Sequence, residues 1–386
     1  MPTDTASPRG RALRVLVSCG EASGDLYAGA LTRALRRLEP EVTVAGFGGR
    51  QLEMAGAELI ADYRRFSVTG LVEALRVLPR SWKMIRTLAA EARERRPDVF
   101  VAIDFPDFNF RLLEPMRQLG IPVVYYISPQ LWAWRAGRID QIRRHVSKML
   151  VIFPFEVDVY ERAGVPVEFV GHPLVELASV SQPRDRWLAA HGLDPARPLL
   201  AWLPGSRPNE VSRMLPVFAD AAPRIAGAVP GVQFVVARAP SLPDALFADI
   251  RKVPSTTVVE GQSDDVLSAA DVVVTASGTA TVQTAIHEKP MVIVYRLSAL
   301  TYAVARRFVK VRTYGMVNLI AGRTIAPELI QADCTPEHVA GEAVSLLTDR
   351  VRADAMRADV AAVRAKLGGA GASERAARAV LAAVRG

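Results

Sequence analysis

The sequence predicts an α/β protein made of two similar halves, each a doubly wound parallel sheet, flanking a cleft. Two observations predict it. Short runs rich in valine, isoleucine and leucine alternate with longer segments of helical spacing, the pattern of repeated strand and helix units. That alternation breaks at Gly171-His172-Pro173-Leu174 and the irregular stretch up to Pro183, then resumes. The break divides the chain into residues 1–175 and 176–386, with the last helix free to pack back on the first half.

Taken in order, residues 13–17 form the first strand, and 26–38 a helix with arginines on its outer face. Between them Gly20 and Gly24 permit a tight turn, and the following helix N-terminus suits a polar or anionic group. The loop lacks the G-x-G-x-x-G spacing of a dinucleotide site, and Glu21 and Asp25 would repel a pyrophosphate. A sugar or acceptor contact is therefore expected here. Residues 42–45 are a second strand, followed by the turn Gly46-Phe47-Gly48-Gly49 and a short helix at 51–55.

Residues 99–103 and 123–127 are continuous β-branched runs, as in parallel strands buried on both faces. The first ends in Asp104-Phe105-Pro106-Asp107-Phe108-Asn109. Ligands of open α/β sheets bind beyond the carboxyl ends of the strands, so Asp104, one residue past the run, is the candidate general base. Asp107 or Asn109 is expected to cap the helix beginning near Phe110, and Asp104 lies too early to do so. The second run leads into Ser128-Pro129 and the aromatic loop Trp132-Ala133-Trp134-Arg135, either a core anchor or a wall for a sugar or acyl chain. Residues 149–153 and 167–170 supply two more strands. The segment 66–86 stands apart, because Phe66, Val68, Leu71, Val72, Leu75 and Leu78 are interleaved with Arg76, Arg80, Lys83 and Arg86 and preceded by Arg64 and Arg65. It reads as a core helix with a solvated basic face, or as a surface lying on anionic lipid.

In the second half the strand candidates are 199–203, 232–237, 257–259, 272–275 and 291–295. Two loops leave strands and open helices there. In Leu203-Pro204-Gly205-Ser206-Arg207, Gly205 permits close backbone approach and Arg207 offers a forked donor to phosphate. In Ser277-Gly278-Thr279-Ala280, small residues leave N–H groups and hydroxyls open to a diphosphate at a helix N-terminus. Either loop could instead serve close helix packing; together they indicate a nucleoside diphosphate site. The lysine of a G-x-x-x-x-G-K-[ST] loop is absent, which disfavours ATP hydrolysis of that type.

Composition sets outer limits. Half of the 386 residues are apolar, and the formal net charge of +8 suits anionic partners without choosing among nucleic acid, phosphorylated substrates and lipid. Cys19 and Cys334 are far apart in apolar settings, so no disulfide is expected, and the five histidines show no metal-ligand spacing. Neither a signal-like core nor a run of roughly 18 apolar residues appears, which reads as a cytosolic chain able to lie on a membrane.

The motifs Gly20-Glu21-Ala22-Ser23-Gly24-Asp25, Ile103 to Asn109, Ser128 to Arg135, Gly171-His172-Pro173, Leu203 to Arg207, Ser277 to Ala280 and Asn318-Leu319-Ile320-Ala321-Gly322-Arg323 together resemble, in order, those of the lipid-A-disaccharide synthase family. The resemblance implies a GT-B glycosyltransferase with two Rossmann-like domains facing a cleft, which joins UDP-2,3-diacylglucosamine to 2,3-diacylglucosamine 1-phosphate and releases UDP. It implies no metal or other cofactor and no nucleic acid, work at the anionic cytoplasmic face of the inner membrane, and room for a homodimer. Asp104 matches the family's essential aspartate. Glu21, Ser23, Arg207, Ser277, Gly278, Thr279, Gln283, Asn318 and Arg323 are the implied substrate contacts, and Phe66, Val68, Leu71, Val72, Leu75 and Leu78 the implied membrane contacts. Gln283 departs from the pattern, which usually has glutamate there; an amide accepts from ribose hydroxyls through its carbonyl only, so Gln283→Glu is expected to tighten UDP binding. A UDP-sugar epimerase or hydrolase would share the two-domain plan, and a binding protein without chemistry would keep only the nucleotide site.

Overall fold

The computed structural model describes residues 11–65, 71–129, 136–297 and 313–385, with side chains at 65, 71–80 and 136 outside the description. Contacts sort the chain into two units: Met1–Pro173 with Leu367–Gly386, and Leu174–Lys366.

The first unit is a seven-stranded sheet in the order β3-β2-β1-β4-β5-β6-β7. Its strands are β1 Arg14–Ser18, β2 Thr43–Gly48, β3 Glu58–Asp62, β4 Val99–Ile103, β5 Val123–Tyr126, β6 Lys148–Val151 and β7 Val167–Phe169. All pairings are parallel, with Val17 opposite Val101 and Val101 opposite Val124 at the centre. The continuous apolar runs have the expected cause: every residue of β4 and β5 is buried, because helices cover both faces. The helix Ala372–Arg385, from the far end of the chain, belongs to this unit. It is fixed there by Arg375, whose Nε donates to the Val170 carbonyl at 2.8 Å.

The second unit is a six-stranded sheet in the order β10-β9-β8-β11-β12-β13. Its strands are β8 Leu199–Leu203, β9 Gln233–Arg238, β10 Thr256–Glu260, β11 Val272–Ala276, β12 Met291–Tyr295 and β13 Glu328–Ile330. These pairings too are all parallel. Trp202 is fully buried and stacks between Phe218 and Phe234, with ring centroids at 4.4 and 5.9 Å, joining sheet to helix.

Two strands escape the sequence pattern. Both β3 and β13 are edge strands carrying Glu or Asp, with no fully buried residue, so neither shows a continuous apolar run. In each sheet the strand order reverses direction once, between β1 and β4 and between β8 and β11. Such switch points are where the loops diverge and a ligand finds room.

Candidate active site

At the first switch point β4 stops at Ile103, and the backbone turns through two successive left-handed residues, Asp104 (φ 45°) and Phe105 (φ 49°). Beside it Ile127, just past β5, also has positive φ, 69°. Left-handed geometry costs a non-glycine residue about 1–3 kcal/mol, and more readily so for a β-branched one, so three such residues at one sheet end require compensation. It is visible. The Asp104 N–H continues the ladder to the Tyr126 carbonyl at 3.0 Å. The Asp104 carbonyl accepts from Asn109 Nδ2 at 2.8 Å and from the Tyr125 hydroxyl at 2.9 Å. Phe105 caps the helix Pro106–Gln118, its carbonyl accepting from the N–H of Asn109 at 3.0 Å. Its ring stacks on Phe108 at 5.4 Å and occupies the space above Gly20, where a Cβ would fall 2.2 Å from a ring carbon. Glycine at 20 is thus required by close approach.

Here the expected cap fails. The helix begins at Pro106, its N-cap is Phe105, and no side chain caps it among the described residues. Asn109 is instead fully buried, accepting from Ser18 Oγ at 2.6 Å and donating to Asp104, with longer contacts of 3.3 Å to the Ser18 and Ile103 carbonyls. Asp107 is exposed and paired with Arg138. Asp25 has a structural role within the first unit. Its buried carboxylate accepts from the N–H groups of Gly49, Gln51 and Leu52 at 2.7, 2.9 and 3.1 Å, capping the helix Arg50–Met54. Glu21 is the N-cap residue of the helix Ala22–Leu38, and Ser23 lies half-buried in its first turn. Burial, then the charge of Asp104, pushes the phenols of Tyr27 and Tyr125 well up, so both stay protonated. His172 is buried against Tyr27 and Phe153, and burial holds its pKa down at about 3. The Cys19 thiol is free and buried, its pKa raised by burial and then by Asp25, so it is no nucleophile.

At the second switch point Arg207 is the N-cap residue of the helix Pro208–Ala228, with proline at its first position as that position favours. Its side chain is 56% exposed and meets Glu210 Oε1 at 3.1 Å. Gly205 has φ +115°, and a Cβ there would press on Glu210 Oε2 at 2.8 Å. Across the switch, Gly278 is the N-cap residue of the helix Thr279–Ile286, where no side-chain cap is made among the described residues. Ser277 Oγ donates to the Tyr314 carbonyl at 3.2 Å. One turn into that helix, Gln283 Nε2 donates to Asp264 Oδ1 at 2.8 Å, and His287 Nε2 donates to the same oxygen at 2.8 Å. Burial pushes the Asp264 carboxyl up, but the bonds from His287, Gln283 and the Ser179 N–H outweigh it, and its pKa lies below the ordinary value.

Asn318 is buried, and its amide is fully engaged: Oδ1 accepts from the N–H groups of Ile325 and Ala326 at 2.7 and 3.0 Å, and Nδ2 donates to the Ala326 carbonyl and to Glu328 Oε1. Glu328 also collects the N–H groups of Tyr314 and Gly315. Arg323 is exposed and paired with Asp359. Among the described residues no group of three His, Cys, Asp or Glu side chains could hold a metal ion.

The profile of the family described as Lipid-A-disaccharide synthetase matches residues 15–383. The lipid-A-disaccharide synthase of Anaeromyxobacter dehalogenans strain 2CP-C is 44% identical over 375 residues, covering 96% of this chain and 98% of that one. That of Geobacter metallireducens is 43% identical over 370 residues, covering 95% and 96%. The chain belongs to the lipid-A-disaccharide synthetase family. It is a glycosyltransferase, and its fold is GT-B. Among solved structures, the glycotransferase of kitacinnamycin aligns with TM-score 0.65 at 19% identity, covering 97% of this chain and all of that one. A UDP-GlcNAc 2-epimerase from Neisseria meningitidis, bound to UDP-GlcNAc, aligns with TM-score 0.64 at 12% identity, covering 96% and 100%. At such identities these two show the fold alone.

Within the family frame, Asp104 with Glu21 and Ser23 lies at one switch point and Arg207 with Ser277, Gly278 and Thr279 at the other, each in its own unit. Asn318 acts on the segment 325–328 and not through a free amide. Sequence reasoning missed Asp264, which answers Gln283; the Asp264-Asp265 pair at a helix start reads as ordinary first-turn acid. Trp132, Trp134 and Arg135 lie outside the described residues, as do Phe66 and Val68. Leu71, Val72, Leu75 and Leu78 fall on the helix Leu71–Arg95, with their side chains outside the description. Farther along that helix Ile85, Leu88 and Ala92 are core, whereas Trp82 is 48% exposed with the Arg111 guanidinium 4.4 Å over its ring. No helix among the described residues is long and apolar enough to cross a membrane.

Proposed function

We propose that the chain transfers 2,3-diacylglucosamine from its UDP donor to 2,3-diacylglucosamine 1-phosphate with inversion at the anomeric carbon. The observation that carries the reading is Asp104, set on a strained, fully bonded turn at the switch point of a chain that belongs to this family. Asp104 takes the proton of the acceptor hydroxyl, and that oxygen attacks the anomeric carbon from the face opposite the nucleotide. The carbon–oxygen bond to UDP breaks, and its electron pair leaves with the diphosphate. The second unit supplies the donors that meet this charge: the Arg207 guanidinium and the N–H groups opening the helix Thr279–Ile286. Acyl chains on both substrates ask for a surface they can reach from lipid. The exposed Trp82 beside Lys83, Arg86 and Arg111 supports an anionic inner-membrane face as the partner of the Leu71–Arg95 helix.

The test is incubation with both acylated sugars, mass analysis for the disaccharide phosphate and a proton spectrum for its anomeric configuration. A β-linked disaccharide from an α-linked donor is the expected result. UDP release without disaccharide would point to the hydrolase or epimerase reading.

A further inference from the structure

We infer that Asn109 and Tyr125 are positioning residues for the base: acting through the main-chain carbonyl of Asp104, they hold the left-handed turn that aims its carboxylate. The inference rests on Asp104 serving as proposed above. Two donors converge on this single carbonyl oxygen, Asn109 Nδ2 at 2.8 Å and the Tyr125 hydroxyl at 2.9 Å. Both side chains are fully buried. A carbonyl oxygen has two lone pairs, and here both are taken by side chains. The peptide after Asp104 therefore cannot rotate out of the left-handed region without breaking two buried hydrogen bonds, leaving Asn109 Nδ2 only its longer 3.3 Å contacts to the Ser18 and Ile103 carbonyls. Each donor is itself fixed. Asn109 is oriented by Ser18 Oγ, 2.6 Å from its Oδ1, which ties the end of β1 to the turn after β4. Tyr125 is carried on β5, whose residues 125 and 126 pair with Ala102 and Ile103. The turn that directs the carboxylate is thereby pinned to three adjacent strands, and neither pinning side chain needs to touch a substrate.

The variants Tyr125→Phe and Asn109→Ala are made in the wild-type chain and again with Asp104→Asn. Disaccharide formation is followed together with the UDP dissociation constant and thermal unfolding. Tyr125→Phe keeps the ring and should lower kcat about tenfold, the rate equivalent of one misaligned hydrogen bond, with KM and UDP binding unchanged. Asn109→Ala should cost about a hundredfold by the same measure, since one substitution removes the donor and frees Ser18. On the residual turnover of Asp104→Asn neither change should add a further loss, because groups that act through one residue are not additive. Full kcat in Tyr125→Phe would overturn the inference, as would an equal loss in both backgrounds or a loss confined to KM; these outcomes leave the base assignment intact. Full activity of Asp104→Asn alone would overturn both. Should Asn109→Ala fail to fold, Tyr125→Phe decides in both backgrounds.

Discussion

At the switch point between β1 and β4 the groups that hold the turn of Asp104 are neutral and fully buried: Asn109 and Tyr125 donate to its main-chain carbonyl, and Ser18 Oγ donates to Asn109 Oδ1. At the switch point between β8 and β11 the polar groups are charged or half-exposed and bonded to one another, as in Arg207 with Glu210 and Asp264 with Gln283 and His287. The difference is one of purpose. Hydrogen bonds in a low-dielectric interior are costly to break and so preserve a geometry. An exposed ion pair is worth only about 0–1 kcal/mol and can be traded for a ligand's charge. One half is constructed to stay as it is, the other to exchange partners.

The sharpest way to break this contrast is Asp104→Asn. It should cut the transfer rate about a thousandfold, within the usual range for loss of a general base, while calorimetry finds UDP binding unchanged. Equal losses in rate and binding would make Asp104 part of the nucleotide half. Arg207→Ala should do the reverse, weakening UDP by roughly ten- to a hundredfold through loss of a charge-assisted contact, with the unfolding midpoint held. Acid should separate the two units by stability. His172 has a folded pKa of about 3 against 6.5 for the free side chain. Between those values the unfolded chain binds a proton that the folded unit refuses, so stability is full above 6.5 and declines as pH falls toward 3, by about 1.4 kcal/mol per pH unit. Asp264 acts in the same direction but in a lower window: its depressed carboxyl keeps its full contribution down to the ordinary value of 3.8 and loses it as pH falls from there through the folded one. Urea unfolding at about pH 7.5 and about pH 5.5 should show the first unit weakening first, and His172→Gln should flatten that slope. The smallest expected effect is Gln283→Glu. The sequence pattern alone argues for tighter UDP binding, but the new carboxylate would stand where the amide now lies 2.8 Å from Asp264. Repulsion of about 1 kcal/mol should weaken UDP roughly fivefold. Asp264→Asn in the same chain should recover it.

Both sheets were legible wherever strands are covered on two faces, because burial on both sides selects an unbroken apolar run such as Val99–Ile103. The edge strands Glu58–Asp62 and Glu328–Ile330 were not, since an edge can be polar and still pair. The places of Asp104 and Arg207 in the loops after β4 and β8 were legible because an unbroken apolar run marks where its strand ends. Asn109 was misread because a helix start followed by Asn looks locally like capping chemistry, whereas its real partner, Ser18, lies on a neighbouring strand. Asp25 hid for the same reason: the N–H groups it receives lie 24 to 27 residues away. Partners made by the sheet order, and not by nearness along the chain, carry no local signature.

The return of the chain to its first unit sets an order of events during synthesis. Residues Leu174–Lys366 form a unit inserted within another, and the main chain leaves and re-enters side by side, the His172 N–H donating to the Leu367 carbonyl at 2.8 Å. A ribosome making roughly 5–20 residues per second needs about 10 to 40 seconds to produce the insert. Throughout that interval the seven-stranded sheet lacks the helix Ala372–Arg385, and the apolar surface that will meet Ala376, Ala377 and Val380 stands uncovered. The later-made unit can therefore be complete before the earlier one, and a chaperone that shields apolar surface has its natural target on the half that was translated first.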